Sequence, residues 1–227
     1  MSGCRAFLLT IQAETLIIMT MSGTPNGDRR TVRRQATQSE IVAASWEMVR
    51  DHGLAGLSMR DLGERVGMRA QSIYSYFASK HEIFDAMFLE GYQAFADWMD
   101  EAVDDEQLAA DPAGAAKRSA HKFVEFCTSD PVRYQLLFQR TIPGFEPSPQ
   151  SWEVAVRAYE HTRQRLAVAG VSDQATFDLW TAMMTGLTDQ QISNDPGGDR
   201  WKQLVDRAVD MLLGDARAHT HTATERT

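Results

Sequence analysis

The stretch Ser58–Phe77, SMRDLGERVGMRAQSIYSYF, decides the fold of this 227-residue chain. Ser58 belongs to the residue types that cap helix N-termini, and Leu62 and Val66 are four positions apart, on one face of a short helix. Gly67 can adopt a positive φ and is expected to end that helix. The first half of the stretch therefore predicts a short, capped helix followed by a tight turn.

The second half of the stretch predicts another short helix. Ile73 and Phe77 are again four positions apart, which marks a buried side. Gly63 lies inside the first helix, where glycine costs about 1 kcal/mol relative to alanine, and its missing side chain suits a place where another backbone passes close. Two short helices joined by a glycine turn predict a helix-turn-helix, whose second helix can enter the DNA major groove.

Charge is distributed unevenly along the chain. The net charge of −8 argues at first against nucleic-acid binding, but residues 29–81 carry nine Lys or Arg residues against five Asp or Glu residues. The remainder is correspondingly acidic. A basic head on an acidic body is the electrostatic footprint of a DNA-binding protein, although a solvated basic face is an alternative interpretation.

Little in the sequence favours catalysis or metal binding. The six histidines show no metal-ligand spacing apart from His219 and His221 near the C-terminus, and no Gly-rich phosphate loop or nucleophile elbow appears. Cys4 and Cys127 indicate neither a disulfide framework nor a metal site, which fits a reducing cytoplasm. No apolar run reaches the length of a membrane span. We therefore expect a cytoplasmic protein that is not an enzyme and has no cofactor or metal.

Residues from about Gln38 to Phe88 resemble the DNA-binding head of the TetR family of bacterial transcriptional regulators (TetR/AcrR-like). The matching motifs follow the family's order and spacing: His52-Gly53, Leu57 to Leu62, Val66-Gly67-Met68, Ile73 to Phe77, and Ser79-Lys80. In the family pattern the recognition helix ends with an aromatic residue followed three positions later by a Phe-like residue. A Ser/Asn-Lys start of the long connecting helix comes next. The later predicted helices are similar to the family's regulatory body in number and length.

The apolar periodicity predicts a mostly helical chain, and the resemblance implies an all-α fold. This fold has an N-terminal three-helix helix-turn-helix head and a C-terminal helical regulatory and dimerisation body. The first helix is predicted over Gln38–His52. The predicted segments are a disordered leader with a basic arm (1–34), the DNA-binding domain (35–82), an effector-binding and dimerisation domain (83–214), and a disordered tail (215–227).

If Ile73 and Phe77 are buried, the opposite side of the second helix is free to contact DNA. Arg and Gln there can each bridge one base, with about 1–3 kcal/mol of discrimination, whereas Tyr and Lys suit phosphates. For Arg60 the alternative is plain surface charge, and for Tyr76 it is packing against the first helix. The predicted DNA-binding residues are Arg33, Arg34, Ser58, Arg60, Arg69, Gln71, Ser72, Tyr74, Tyr76 and Lys80.

The resemblance also implies a small apolar or amphipathic effector bound in the body. The candidate pocket residues are Phe95, Trp98, Phe123, Phe126, Phe138, Trp152, Tyr159, Trp180, Met183 and Met184. Apolar stripes on the last two predicted helices favour a homodimer built as a four-helix bundle. The candidate interface residues are Phe177, Met184, Leu187, Gln191, Trp201, Leu204, Val205, Ala208 and Leu212. Each of these side chains can instead belong to the core of one monomer.

Together these observations predict a sequence-specific transcriptional regulator. The simplest form is a repressor that binds a palindromic operator in double-stranded DNA as a dimer and is released by a small apolar effector. Two heads about 34–36 Å apart would read successive major grooves. The alternatives are a DNA-binding regulator without an effector, an activator and, more remotely, a helical enzyme.

Overall fold

The computed structural model describes residues 25–102 and 104–224, with side chains over 29–102 and 104–218. The predictions for residues 1–24 and for the end of the tail lie outside this part. Ten α-helices occur in it: α1 (Pro25–His52), α2 (Met59–Arg65), α3 (Ala70–Ile73), α4 (Lys80–Asp100), α5 (Asp105–Ala110), α6 (Pro112–Ser129), α7 (Pro131–Phe138), α8 (Pro149–Val168), α9 (Gln174–Asn194) and α10 (Val205–Thr224). Short 3-10 turns lie at Leu54–Gly56 and Lys202–Leu204. The all-α fold class is confirmed.

The chain divides into two units, residues 1–41 and 42–227. We call residues 42–77 the head and residues 80–224 the body; both lie in the second unit. The described part of the first unit is the N-terminal portion of α1, in which Arg33 and Arg34 are exposed.

Both terminal helices are longer than predicted. α1 begins at Pro25 instead of Gln38, so the arginine-rich segment lies on helical turns and not in an arm without regular structure. No glycine or proline follows Gly27 before Gly53, and the Arg, Gln, Ala and Glu residues between them favour helix. α10 continues past the predicted stop at Gly214, and Ala216 is buried there, so the apolar face extends one more turn.

Three body helices, α6, α7 and α8, begin with an aspartate or serine cap followed by proline. Asp111 Oδ1 accepts a hydrogen bond from the Gly114 N–H at 2.9 Å. Asp130 Oδ1 accepts from the Arg133 N–H at 3.1 Å in the same way. Each cap satisfies a backbone donor that has no partner inside its helix, and the proline that follows lacks the N–H that would otherwise be left over. These caps fix where α6 and α7 begin.

The body contains two apolar clusters that share α6. One cluster joins α6 to α9 and α10, and includes Val124, Met184 and Val209. The other joins α6 to α4, α7 and α8, and includes Phe95 and Tyr134. Because α6 lies between the two clusters, any space left where they meet is enclosed by several helices.

Cys127 of α6 is buried and free. Burial raises the pKa of its thiol well above the usual value, so the group stays protonated at neutral pH. This thiol acts as a small apolar side chain in the core.

Candidate DNA-binding head and body cavity

The turn that joins α2 to α3 is built by Gly67, whose φ is +68°. The Met68 N–H donates to the Gly63 carbonyl at 2.8 Å, and the Gly67 N–H donates to the Glu64 carbonyl at 3.3 Å. This pair of bonds is a Schellman motif, in which a residue with positive φ follows the helix end. The predicted glycine turn of the helix-turn-helix is confirmed.

Gly63 is the point of closest approach between α2 and the chain that leads into α3. A Cβ atom placed on Gly63 would lie 2.7 Å from the Met68 carbonyl oxygen and 3.1 Å from the Ala70 nitrogen. Both are backbone atoms, so neither can swing away as a side chain would. Any larger residue at this position would push the two helices apart.

The short helix α3 presents two distinct sides. Ile73 and the following Phe77 are buried at 0% and 5% exposure, as predicted. Arg69, Gln71 and Tyr74 are exposed. Within the described residues, neither Arg69 nor Gln71 makes a side-chain hydrogen bond or ion pair, so their donors and acceptors are available to a partner.

Ser58 and Arg60 lie at the start of α2. Ser58 is its N-cap and accepts a hydrogen bond from the Asp61 N–H at 3.4 Å. Arg60 Nε lies 3.3 Å from Oε1 of Glu64, which is four residues later on the same helix, and both side chains are exposed. Such a pair contributes only about 0.3–0.5 kcal/mol, so Arg60 can readily leave Glu64 for another anion.

The neighbouring Arg65 has a structural role. It lies 2.9 Å from Asp51 and 3.6 Å from Glu47, both on α1. These contacts join α2 to α1, so Arg65 helps to hold the motif together.

The junction between the head and α4 is capped by Ser79. Its Oγ accepts from the Glu82 N–H at 3.2 Å, while Glu82 Oε2 accepts from the Ala78 N–H at 2.7 Å. The Glu82 side chain thus accepts from Ala78, one residue before the cap, in a variant of the capping box. Lys80 Nζ donates to the Ala55 carbonyl at 3.4 Å, which leaves two of its three donors for other partners.

The remaining predicted DNA-binding residues are placed as follows. Ser72 is half-buried on α3, and its carbonyl accepts from the Ser75 hydroxyl at 2.7 Å. Tyr76 is half-buried in the turn after α3 and already has an interaction within the chain. Arg33 and Arg34 lie in the first unit. The predicted residues from Ser58 to Tyr76 therefore lie in the head, and Lys80 is the first residue of α4, directly after it.

The body contains a partly open cavity of about 150 Å³, lined by residues of both apolar clusters. Large side chains on α4, α6, α7, α8 and α9 surround it. Six predicted pocket residues line it: Phe95, Phe123, Phe138, Tyr159, Trp180 and Met184.

The other four predicted pocket residues lie elsewhere. Trp98 donates its indole N–H to the Lys122 carbonyl at 3.0 Å, and Phe126 stacks under the Arg133 guanidinium at 3.8 Å. Trp152 is 55% exposed on α8, and Met183 packs against the α9–α10 cluster. Trp98, Phe126 and Met183 pack against other parts of the body and Trp152 faces solvent, so none of the four borders the cavity.

Small residues supply the part of the cavity wall that size alone did not indicate. Ala155, Ala158 and Thr162 recur at spacings of three and four on α8, and Thr181 and Thr185 are four apart on α9. A stripe of small side chains at helical spacing leaves room between two helices. The helical spacing of these small residues is the sequence signal that could have indicated this part of the wall.

The predicted dimer-interface residues mostly face the monomer's own core. Six of them are buried within the chain: Phe177, Met184, Gln191, Val205, Ala208 and Leu212. Leu187 and Trp201 are half-buried. The ninth predicted residue, Leu204, is 38% exposed in the 3-10 turn before α10. Two further large apolar side chains are exposed on the same helices, Leu179 of α9 at 51% and Met211 of α10 at 64%.

A short polar network connects α7 with its neighbours. Arg50 Nε of α1 lies 2.8 Å from Asp130 Oδ2, the cap of α7. On α9, Asp189 Oδ1 accepts from the Tyr134 hydroxyl at 2.9 Å and from Gln139 Nε2 at 2.8 Å. Burial and this hydrogen bond raise the pKa of Tyr134, so its hydroxyl remains a donor. α7 is thus tied to the head at one end and to α9 at the other.

The described residues form neither a metal site nor a membrane-spanning helix. Within the side chains described, no group of three or more His, Cys, Asp or Glu residues is arranged to hold a metal ion. Among the helices of the described ranges, none combines the length and apolar character that crossing a membrane requires.

Comparison with known proteins identifies the head. A family model described as "Bacterial regulatory proteins, tetR family" matches residues 41–87. The HTH-type transcriptional regulator Rv1816 of Mycobacterium tuberculosis is 30% identical over 125 residues, which are 54% of this chain and 52% of the relative. This match spans about half the length of that relative.

A second relative aligns over more of the chain. The HTH-type transcriptional repressor Rv1353c of Mycobacterium tuberculosis is 24% identical over 221 residues, which are 88% of this chain and 78% of the relative. The alignment therefore reaches into the body as well as the head.

Solved structures share the fold. The crystal structure of SCO4313 superposes with a TM-score of 0.65 at 21% identity, over 81% of this chain and 98% of that one. The transcriptional regulator FadR of Bacillus subtilis, solved in complex with stearoyl-CoA, superposes with a TM-score of 0.60 at 16% identity, over 77% and 97% of the two chains. At these identities the likeness shows the fold alone.

Proposed function

We propose that this chain, which belongs to the TetR family of bacterial regulatory proteins, represses transcription by binding a palindromic operator as a dimer and releases it when a small molecule enters the body cavity. The observation that carries the proposal is the arrangement of α3. The apolar Ile73 is buried, while Gln71 and the two flanking residues Arg69 and Tyr74 are exposed. A regulator of this kind works in the cytoplasm, where bacterial DNA lies.

The side chains of α3 divide the work of DNA recognition. Arg69 can bridge the two acceptors of a guanine and Gln71 can bridge an adenine, so these residues select sequence. Tyr74 offers its ring to a thymine methyl group and its hydroxyl to a phosphate, and Ser72 supports them. Both base-reading side chains are unpaired within the described residues, so binding DNA breaks no contact that they already make.

The other predicted residues hold the head in register on the duplex. Ser58 and Arg60 start α2, whose N-terminal N–H groups favour phosphate. Tyr76 lies in the turn after α3 and Lys80 starts α4, and phosphate contacts there position the head without specifying sequence. In the first unit, the exposed Arg33 and Arg34 add charge for the phosphate backbone.

The dimer places two heads on one operator. The exposed Leu179 of α9, Met211 of α10 and Leu204 of the turn before α10 provide apolar surface for a symmetric four-helix contact. The buried residues of the same helices support this surface from inside the monomer. A two-fold dimer requires an operator with matching two-fold symmetry.

The cavity favours an effector-responsive regulator over one that acts by occupancy alone. Its wall is almost entirely apolar, and a concave apolar pocket with few polar groups is the usual form of a small-molecule site. FadR, which has the same fold, was solved with a bound small molecule. The repressor name of Rv1353c supports release, rather than recruitment, as the response.

α7 provides a route from the cavity to the head. Phe138 of α7 lines the cavity, with its ring centroid 5.3 Å from that of Phe95 and 5.4 Å from that of Phe123. At the opposite end of α7, Asp130 holds Arg50 of the head. A ligand that displaces Phe138 therefore moves the helix that is attached to the head. A coupling of about 1–3 kcal/mol would change operator affinity 5- to 150-fold.

The test is to map the sites bound by the protein in its native genome and to measure affinity for the recovered sites by fluorescence anisotropy. We expect enrichment of a few symmetric sites, with binding abolished in the double variant Arg69→Ala/Gln71→Ala. The control Arg157→Ala, which removes an exposed arginine of α8, should bind like the wild type. Loss of binding in the control alone, or no enriched site, would contradict the proposal.

A further inference from the structure

The wall of the cavity has no charged side chain among the described residues. Seven aromatic rings contribute to it, from α4, α6, α7, α8 and α9. A carboxylate, phosphate or ammonium group that entered would lose its hydration and meet no opposite charge, which is strongly unfavourable. The wall therefore selects against ionised ligands of either sign.

The size of the cavity limits the ligand to about one ring. Its volume is about 150 Å³. An apolar protein cavity of about this volume stays dry and takes up benzene. A single aromatic or alicyclic ring fits this space, whereas a long acyl chain would require the helices to separate.

The three threonine hydroxyls of the wall already donate their hydrogens to backbone carbonyls. Thr162 donates to the Ala158 carbonyl at 3.0 Å, and Thr181 donates to the Phe177 carbonyl at 3.1 Å. Thr185 donates to the Thr181 carbonyl at 2.8 Å. Since a carbonyl oxygen can only accept, the hydroxyl must be the donor in each bond. The threonine oxygens are left as acceptors.

The two tyrosines of the wall are also engaged. The Tyr92 hydroxyl donates to the Leu137 carbonyl at 3.1 Å, and burial raises the pKa of Tyr92, so this hydroxyl stays protonated. The Tyr159 oxygen accepts from Gln174 Nε2 at 3.1 Å, so its own O–H remains a donor at the cavity wall, beside three threonine oxygens that can only accept. The Ser119 hydroxyl makes no hydrogen bond within the described residues, so it can act as either a donor or an acceptor. Acceptors thus outnumber donors around the cavity.

We infer that the ligand of this cavity is a neutral single-ring compound that carries an O–H or N–H donor, of the phenol class. The ring fills the apolar space, and the donor reaches the hydroxyl oxygen of Thr162 on α8 or of Thr185 on α9. This inference rests on the proposed function, because it specifies the chemistry of the proposed effector.

Four probes of similar size test the inference by isothermal titration calorimetry on the full chain at pH 7. Phenol has a ring and a donor, toluene lacks the donor, benzoate is an anion, and phenyltrimethylammonium is a cation. We expect phenol to bind at least tenfold more tightly than either ion and more tightly than toluene. Equal or tighter binding of benzoate or phenyltrimethylammonium overturns the inference, and so does a preference for toluene.

Isosteric variants identify the acceptor. Thr162→Val on α8 and Thr185→Val on α9 each keep the shape of the wall and remove one oxygen. At least one of them should lower the phenol-to-toluene preference about fivefold without weakening toluene binding. Thr128→Val on α6, where the hydroxyl contacts its own helix outside the cavity wall, is the matched control. An unchanged preference in both wall variants contradicts the assignment of the donor.

Operator binding is measured in parallel so that the two claims can fail separately. If the probes bind in the expected order and operator affinity does not change, the cavity chemistry stands and the proposed effector response fails. If benzoate rather than phenol lowers operator affinity, the ligand class inferred for the cavity is wrong.

Discussion

Arg50 Nε of α1 lies 2.8 Å from Asp130 Oδ2, so an ion pair joins the last turns of a head helix to the first turn of α7. The Asp130 carboxylate is only 11% exposed, whereas the Arg50 side chain is 48% exposed. Asp130 also caps α7, so a single carboxylate fixes the start of that helix and holds the head. Because Phe138 near the other end of α7 lines the cavity, the ion pair is placed to transmit an effector signal.

The substitution Asp130→Asn tests this role. Asparagine caps helices as well as aspartate does, so the variant keeps α7 and removes the charge on the partner of Arg50. We expect the free energy of unfolding to fall by no more than about 1 kcal/mol, because Arg50 is half-exposed. The fold-change in operator affinity that saturating phenol causes should shrink at least threefold, as measured by anisotropy.

The matched control is Asp104→Asn, which changes the exposed cap of α5. It alters charge and cap chemistry in the same way but touches no head residue among the described contacts. An equal loss of response in both variants would show that the Arg50–Asp130 pair has no special role.

Gly63→Ala should damage the head. The added methyl group would meet the Met68 carbonyl oxygen at 2.7 Å, and the backbone must shift to relieve the contact. We expect a loss of roughly 1–3 kcal/mol in chemical denaturation and weaker operator binding. The control Gly214→Ala lies in α10 with no atom within 4 Å of the new Cβ, so it should stabilise by up to about 1 kcal/mol. A neutral Gly63→Ala would argue against the close backbone approach.

Arg69 and Lys80 should differ in the kind of DNA contact that they make. Arg69→Ala should relax sequence preference at one position of each half-site, at a cost of about 1–3 kcal/mol. Lys80→Ala should weaken all sequences alike and reduce the salt dependence of binding by about one phosphate contact. Competition binding with operator variants at several salt concentrations separates the two effects. If both substitutions changed specificity equally, the division of roles would be wrong.

Acid should weaken the start of α9 through Asp173. Hydrogen bonds from the Thr176 side chain and backbone lower the pKa of this N-cap carboxylate below its usual value of 3.8. The pKa of Asp173 is lower in the folded state than in the unfolded state. The ionised carboxylate therefore stabilises the fold fully above its unfolded-state pKa, and this contribution is lost as the pH falls through its folded-state pKa. Asp173→Asn should therefore lose less stability than the wild type as the pH falls through and below the usual aspartate pKa of 3.8.

The control for the acid experiment is Asp97→Asn, an exposed aspartate within α4 that caps no helix. It should follow the wild-type pH profile. Parallel profiles for wild type and Asp173→Asn in urea denaturation would show that the Asp173 cap does not contribute to acid sensitivity.

The head could be predicted from sequence because its determinants are local. The Gly67 N–H bonds to the residue three positions earlier and the Met68 N–H to the residue five positions earlier, and these bonds end α2. Ser58 and Ser79 each accept from the backbone N–H three residues ahead. Such contacts depend only on nearby residues, so the pattern of types and spacings contains them. The close backbone approach at Gly63 was predicted for the same reason.

The roles of the body's apolar residues could not be predicted, because they depend on which helix faces which. Met184 lies on an apolar stripe that fits a pocket, an interface or a core, and the fold places it in the core and in the cavity wall. Trp152 has the size of a pocket residue but points outward. Periodicity shows that a face is apolar, whereas tertiary packing decides what covers it.

The central claim is that the head reads duplex DNA through α3 as one half of a symmetric pair. Selection of bound sequences from random duplex DNA at low ionic strength tests it most directly. The account predicts recovery of a site with two half-sites related by a two-fold axis, centred about 10 base pairs apart, and loss of that consensus in Arg69→Ala/Gln71→Ala. Failure to retain duplex DNA of any sequence, or a consensus unchanged in the double variant, would contradict it.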